Sequence, residues 1–374
     1  MTAVHRTCAF CVMDDSNPAI RFDANGQCNC CRDAIARMPS EWWPDLNGEI
    51  RMNQLVADLK TRGRGKQYDA MVGLSGGIDS AYLAHLASKK HDLRLLAVHV
   101  DGGWNSEPAV HNIESMVRGL GIDFHTYVVE WQEMRDIQVA FLKASVLNQD
   151  IPQDHAFFAT LYRTAKKFGI RDFLSGVNFA SECVVPPGFG YPSMDGKHAR
   201  AIHKIFGAAP LETYPIMEWA EYLWLTRVRR QLTIHRPLNF LNYDKETARL
   251  ELEQLYGWRD YGGKHSESRF TKFYQEIYLP QKFGFDKRRL HLSSLIVSGQ
   301  IRREYALEEL ATPITSARQT RRDIKFVAKK LNVAQDQLQT YIDAAPINHR
   351  AYPNGLKVHA WLSRLKRFLR PSAT

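Results

Sequence analysis

Short apolar runs alternate with stretches of helical period through the first half of this chain. Tyr68 to Leu74 is an unbroken apolar-leaning run that enters Ser75-Gly76-Gly77, the pattern of a strand buried on both faces. A helix is predicted over Ser80 to Lys89, then a strand over Leu93 to Val100 ending at Asp101-Gly102-Gly103. Helical period covers 108–119, Phe124 to Val129 reads as a third strand, and helices follow over 132–147 and 154–168. Ile170 to Ser175 is the fourth strand, leading into Gly176-Val177-Asn178. Strands that alternate with helices build right-handed crossovers and a doubly wound parallel sheet, an α/β fold. Ligands of such sheets sit at the carboxyl ends of the strands. The glycine loop, Asp101 and Asn178 all fall there.

Past Pro215 the strand signal fades. Glu218–Gln231, Lys245–Tyr256, Arg269–Gln281 and Ala317–Leu331 carry helical period. The expected organisation is a Cys-rich cap over 1–35, an α/β domain over 36–216 and a helical, basic domain over 217–374. The α/β domain opens with a polar connector, helical from Ile50 to Thr61. The last helical stretch, 356–369, gathers Leu356, Trp361, Leu362, Leu365, Phe368 and Leu369 on one face. It is expected to pack on the body or on a partner rather than lie on a membrane.

Charge sharpens this division. Of 50 basic and 40 acidic residues, 17 and 6 lie from Lys287 onward, so that end carries +11 and the rest is near neutral. A basic third suits a phosphorylated ligand, a nucleic acid, an acidic partner or an anionic surface. No run is long and apolar enough for a membrane span, and Met1 to Cys11 has no secretory core. A cytoplasmic enzyme is expected. Five of the six cysteines fall in the first 31 residues, which points to metal rather than a disulfide framework. Cys8-x-x-Cys11 and Cys28-x-x-Cys31 have the spacing of a structural four-cysteine zinc ribbon, with Cys30 out of phase and a ligand choice left open.

Ser75-Gly76-Gly77-Ile78-Asp79-Ser80 is the sharpest signal. Glycines admit a phosphate close to the backbone, the helix start offers unpaired N–H groups, and Ser75 and Ser80 add hydroxyls. Asp79 belongs among phosphates only if Mg2+ joins it to them. It is not the loop that ends in Gly-Lys-Ser/Thr, so γ-phosphate chemistry is not expected. Asn178 and Glu182 share a helix face, where they either reach the pyrophosphate and its Mg2+ or merely cap and solvate a helix. His99 and Asp101 close the second strand, at the end where ligands of such a sheet sit. Trp104 either borders substrate or packs. Asp154-His155 either contacts substrate or is a helix start with an exposed His. Lys264-His265-x-Glu267-x-Arg269 either neutralises charge at the α-phosphate or is a solvated helix start.

The loop resembles that of the PP-loop ATP pyrophosphatases, the adenine nucleotide alpha hydrolase-like fold, over about 68–216. Taken together, the motifs resemble the N-acetyl sugar amidotransferases of surface-polysaccharide and lipopolysaccharide biosynthesis. The residues that carry this are Cys8-x-x-Cys11-Val12-Met13-Asp14, Phe22-Asp23, Gly26-x-Cys28-Asn29-x-Cys31, Ser75 to Ser80, His99 to Ser106, Gly176-x-Asn178-Phe179-Ala180-x-Glu182, Gly262 to Thr271 and Asp286 to Ser294. The basic tail after about 312 has no counterpart.

The resemblance implies a nucleotide-linked N-acetyl sugar as substrate, with its acetamido group becoming an acetamidino group. It implies ATP and Mg2+, structural Zn2+, release of AMP and pyrophosphate, and ammonia delivered by a glutaminase with a channelling, cyclase-like partner. No nucleic acid is expected, and a homodimer is allowed. Implied catalytic residues are Asp79, Asp101, Lys264 and His265. Nucleotide-binding residues are Ser75, Gly76, Gly77, Asp79, Ser80, His99, Gly176 and Asn178, with Asp79 and Glu182 on Mg2+. Substrate residues are Trp104, Asp154, His155, Glu267 and Arg269, and Cys8, Cys11, Cys28 and Cys31 hold the metal. The alternative is a tRNA-modifying PP-loop enzyme, a thiolase or a lysidine-type ligase.

Overall fold

The computed structural model describes residues 5–186, 190–228, 231–263 and 266–356. Its centre is a parallel sheet of β1 (Ala70–Gly73), β2 (Leu95–Asp101), β3 (Asp123–Val128), β4 (Asp172–Leu174) and β5 (Thr233–His235), in the order β3-β2-β1-β4-β5. Ala70 registers with Leu95 of β2, and Met71 with Phe173 of β4. The chain enters in the middle, builds outward through β2 and β3, then crosses to the other side of β1. The order therefore reverses between β1 and β4, and the loops leaving these two strands open a crevice at their carboxyl ends. β1 and β2 are buried because helices cover both faces of the sheet.

The first helices are α1 (Asn29–Glu41) and α2 (Leu46–Arg62), followed by α3 (Ile78–His85), α4 (Glu107–Leu120), α5 (Trp131–Lys143), α6 (Ile151–Phe168) and α7 (Phe179–Glu182). α4 shows why these segments are helical. Ser106 caps it by accepting from Ala109 N, Pro108 occupies the first turn, and Gly121 ends it at φ +64. Between them Ala109, Ile113, Met116 and Leu120 recur at helical spacing and turn into the core.

Beyond the sheet's fourth strand come α8 (Gly196–Phe206), α9 (Trp219–Leu223), α10 (Lys245–Tyr256), α11 (Arg269–Phe273), α12 (Leu279–Phe283), α13 (Arg288–Val297), α14 (Arg303–Ala311), α15 (Ala317–Leu331) and α16 (Gln335–Asp343). The C-terminal region is thus mainly helical, as its periodicity predicts. The boundary expected at 216 does not divide the molecule, however. β5 lies past it, and Leu238, Tyr243, Ala248, Leu252 and Trp258 share one core with β1 and α3. β5 escapes sequence reading because Thr233, Ile234 and His235 form an edge with little burial. Their strand character comes from pairing with β4. The Cys-rich segment is likewise no separate cap, since its cysteines share a core with Phe270, Tyr274, Tyr278 and Leu290. Of the amphipathic stretch 356–369, all but Leu356 lies outside the described residues.

Candidate active site and metal centre

β1 delivers the chain into the glycine loop, and α3 leaves it with Gly77 as its cap. The loop is folded on its own hydroxyls. Ser80 Oγ donates to Gly77 O at 3.0 Å, Gly77 N donates to Ser75 Oγ at 3.2 Å, and the two serine hydroxyls lie 3.3 Å apart. Gly76 has φ +83, and a Cβ there would stand 2.5 Å from Ala109 O. The loop thus rests on the first turn of α4 with no room for a side chain. Gly176, leaving β4, approaches equally closely: a Cβ would lie 3.0 Å from Ser80 N. Asp79 sits in the first turn of α3 and accepts a 2.6 Å hydrogen bond from Tyr243 Oη. Tyr261 Oη accepts from Ile78 N at 3.3 Å. Burial, reinforced by the carboxylates of Asp79 for Tyr243 and of Glu267 and Asp79 for Tyr261, pushes both phenols well above their usual range, so both remain neutral donors.

One cavity adjoins this loop, and a second shares part of its wall. The smaller, about 370 Å³, is walled by Ser75, His99, Asp154, Glu267 and Lys287. The larger, about 830 Å³, is walled by Asn178, Glu182, Arg236, Lys272, Lys287 and His291. Gln275 and Lys287 line both. His99 is fixed by its neighbours: Nδ1 donates to Leu74 O at 2.7 Å and Nε2 accepts from Asn105 Nδ2 at 2.9 Å. Burial lowers its pKa, keeping that neutral tautomer. Asp101 accepts from Gly103 N at 2.7 Å and from Asn105 Nδ2 at 3.1 Å, and so shapes the turn that ends β2.

The segment 267–269 is sewn antiparallel onto this turn. Ser106 N donates to Glu267 O and Arg269 N to Trp104 O, each at 2.8 Å. Glu267 is thereby placed at the cavity. Arg269 is not: it pairs with Asp323 at 3.3 Å and stacks 4.2 Å over Phe326, lining neither cavity. Trp104 reaches the cavity wall but is 2% exposed, wedged against Trp131 and Phe270.

His155 is fully buried rather than exposed. α6 begins at Ile151, ahead of the expected start at 154, which turns His155 inward. Its Nδ1 donates to Ser193 O at 2.7 Å and its Nε2 accepts from Met217 N at 2.8 Å, so it ties loops together and lines neither cavity. Asn178 is buried, and its Oδ1 caps α7 through Ser181 N at 3.0 Å. Lys264 and His265 lie outside the described residues. Asp154 is exposed, with its open side on the smaller cavity. Lost hydration and the nearby Asp150 push its carboxyl up to about 7, against the pull of Lys287.

Away from the cavities, Cys8, Cys11, Cys28 and Cys31 bring four thiols within 4.8 Å of one another, all buried and none in a disulfide. A tetrahedral ion with Zn–S of about 2.3 Å requires sulfurs about 3.8 Å apart. The measured separations of 3.8, 3.6 and 3.5 Å fit that requirement. Cys28 N and Cys11 N donate to Cys8 Sγ, as expected around thiolates. Cys30 stands outside this group of four, its Sγ 3.8 Å from Asn29 Oδ1. Arg303 grips the carbonyls of Cys8 and Cys11, and Arg289 that of Val12, so the cluster braces α13 and α14.

Residues 267–366 match the family described as LPS biosynthesis protein WbpG-like, C-terminal domain, and residues 52–203 match NAD synthase. The chain thus carries a PP-loop, NAD synthase-like fold joined to a WbpG-like C-terminal region. Over 89 residues this PP-loop protein is 34% identical to the glutamine-hydrolyzing GMP synthase of Pyrobaculum aerophilum, covering 24% of the chain and 16% of that relative. The match thus spans about a sixth of the relative's length. Among solved structures, the NMN synthetase of Francisella tularensis aligns at 15% identity and TM-score 0.35, over 81% of this chain and 99% of that one. The NH3-dependent NAD synthetase of Campylobacter jejuni aligns at 16% and 0.30, over 56% and 84%. The U34-tRNA thiolase NcsA of Methanococcus maripaludis aligns at 15% and 0.34, over 82% and 89%. Scores this low distinguish none of the three activities.

The PP-loop core holds residues that sequence reading passed over. Tyr243 and Tyr261 reach the loop from more than 160 positions away, and no local pattern marks Tyr243. Lys287 carries a signal, standing beside Arg288 and Arg289 in a shared motif, but nothing in the sequence places it between two cavities. Asp150 is equally silent until α6 brings it one turn from Asp154.

Proposed function

We propose that this chain is an ATP-dependent amidotransferase that converts the acetamido group of a nucleotide-linked N-acetyl sugar into an acetamidino group. The observation that carries this is the pair of cavities meeting at Lys287 and Gln275 beside the phosphate loop. An amide oxygen is a poor leaving group, and its transfer to the α-phosphate of ATP solves that problem. The reaction needs one room for the nucleotide and an adjoining one for a second phosphorylated substrate. Ser75, Gly76, Gly77 and Ser80 cradle phosphates at the start of α3. Asp79 and Glu182 hold Mg2+, and the chemistry it supplies is charge neutralisation between phosphates. Lys264 and His265 meet the developing charge at the α-phosphate. Arg236, Lys272 and His291 suit the larger cavity to a sugar carrying phosphates. The four-cysteine cluster holds structural zinc.

Ammonia comes from a partner glutaminase through a channelling protein. Burial pushes the thiol of Cys183 up to about 11, which disables it as a glutaminase nucleophile. No helix among the described residues is long and apolar enough to cross a membrane. The test is ATP–pyrophosphate exchange across a panel of nucleotide N-acetyl sugars, followed by amidine formation with ammonium salts. Exchange is expected with one sugar class, with AMP and pyrophosphate as products. Glutamine is expected to serve only after a glutaminase is added. Exchange supported by tRNA and by no sugar would favour a tRNA-modifying enzyme instead.

A further inference from the structure

We propose that Asp154, one helical turn from Asp150 and sharing the smaller cavity with Lys287, is the general base that removes a proton from the incoming nitrogen. This rests on the amidotransferase reading and assigns the second half of that reaction to named atoms. Ammonia forms a bond to the carbon of the N-protonated imidate, the C=N electron pair withdraws onto the sugar nitrogen, and the incoming nitrogen becomes positively charged on a tetrahedral centre. One proton must leave that nitrogen before the centre can collapse forward. The Asp154 carboxylate takes it, the carbon–oxygen bond breaks, and its electron pair departs on AMP. The product keeps its charge as an amidinium, and Asp154 passes the proton to cavity water.

The surroundings single out this carboxylate. Five ionisable groups wall the cavity: His99, Asp150, Asp154, Glu267 and Lys287. Both nitrogens of His99 are committed, one to Leu74 O and the other to Asn105. Asp150 accepts from Thr271 Oγ1 at 3.0 Å and Gln153 Nε2 at 3.4 Å, which holds it as an orienting anion. Glu267 holds its carboxylate against the phosphate loop instead, Oε1 lying 3.2 Å from where a Cβ at Gly77 would stand. Nearby, burial and the two aspartates push the phenol of Tyr274 up, and burial with Asp154 does the same for Tyr214, so both stay neutral. Lys287 acts on Asp154 as a neighbouring positive charge that opposes the upward push on its carboxyl. Asp154 lines the same cavity as Ser75 of the phosphate loop. Its carboxyl, displaced to about 7, is matched to proton transfer near neutral pH.

The experiment compares wild type and Asp154→Asn, in full-length protein, in two assays. Sugar-dependent ATP–pyrophosphate exchange reads the first half-reaction. Amidine formation at fixed free NH3 reads the second. The variant is expected to lose amidine formation on the order of 100- to 10,000-fold, with exchange reduced less than about tenfold. The wild-type rate is expected to rise with pH through about 7, and that limb disappears in the variant. A circular dichroism spectrum and melting temperature matching wild type exclude misfolding, and Asp154→Glu supplies a second carboxylate if Asn does not fold. Amidine formation within threefold of wild type, or equal loss of both half-reactions, overturns the assignment. No sugar-dependent exchange in the wild type overturns the amidotransferase reading itself, and this proposal with it.

Discussion

Gly76→Ala probes whether the phosphate loop is held by a backbone that no side chain can share. Gly76 has φ +83, a region that costs an L-residue about 1–2 kcal/mol. The new methyl would also lie 2.5 Å from Ala109 O and 2.8 Å from Ala109 Cα, both backbone atoms. Neither can yield alone. Ser106 caps Ala109, and Asn112 clamps Gly76 O at 3.2 Å while holding Arg259. Forcing such contacts apart adds about 1–3 kcal/mol. The expected destabilisation is about 2–5 kcal/mol. Gly121→Ala is the matched control, at φ +64 with nothing within 4 Å, so it should cost only the conformational part, about 1–2 kcal/mol. Urea unfolding of both variants measures the difference, provided their m-values agree with wild type. A Gly76→Ala loss no larger than that of Gly121→Ala would refute the close approach to α4.

Elemental analysis should find about one zinc per chain, lost together with folded signal on replacing Cys11 by Ser, because the cluster braces α13 and α14; an iron–sulfur spectrum would contradict this. Asp79→Ala should abolish ATP turnover while the fold is kept at a cost of about 1–3 kcal/mol, since it removes the acceptor of the buried Tyr243 hydroxyl; ADP and orthophosphate in the wild-type products would contradict the loop assignment. Burial and His198 pull His349 down to about 3 from the ordinary 6.5, so the unfolded state binds the extra proton between these values. Its stability contribution is whole above 6.5 and falls with pH below it, by about 1.4 kcal/mol per pH unit; His349→Gln should flatten that slope in unfolding titrations, and an unchanged slope would remove His349 as its source.

The sequence by itself determined the elements whose signal is local. Unbroken apolar runs marked β1 and β2, which are buried on both faces. Helical period over 108–119 marked α4, and that of Ala317–Leu331 marked α15. Paired Cys-x-x-Cys segments fixed the metal cluster because four thiolates need that spacing on two turns. Ser75 to Ser80 declared itself because a phosphate loop is one contiguous piece of backbone. Only the tertiary structure decided what is assembled from separate pieces. β5 is a strand because β4 pairs with it, not because of Thr233, Ile234 or His235. The inward turn of His155 depended on where α6 begins, and the burial of Trp104 on Trp131 and Phe270. Tyr243 on Asp79, Lys287 between the cavities, and Asp150 beside Asp154 are contacts among distant or silent positions. Their chemistry arises from desolvation and neighbouring charge, which exist only once the chain has closed around them.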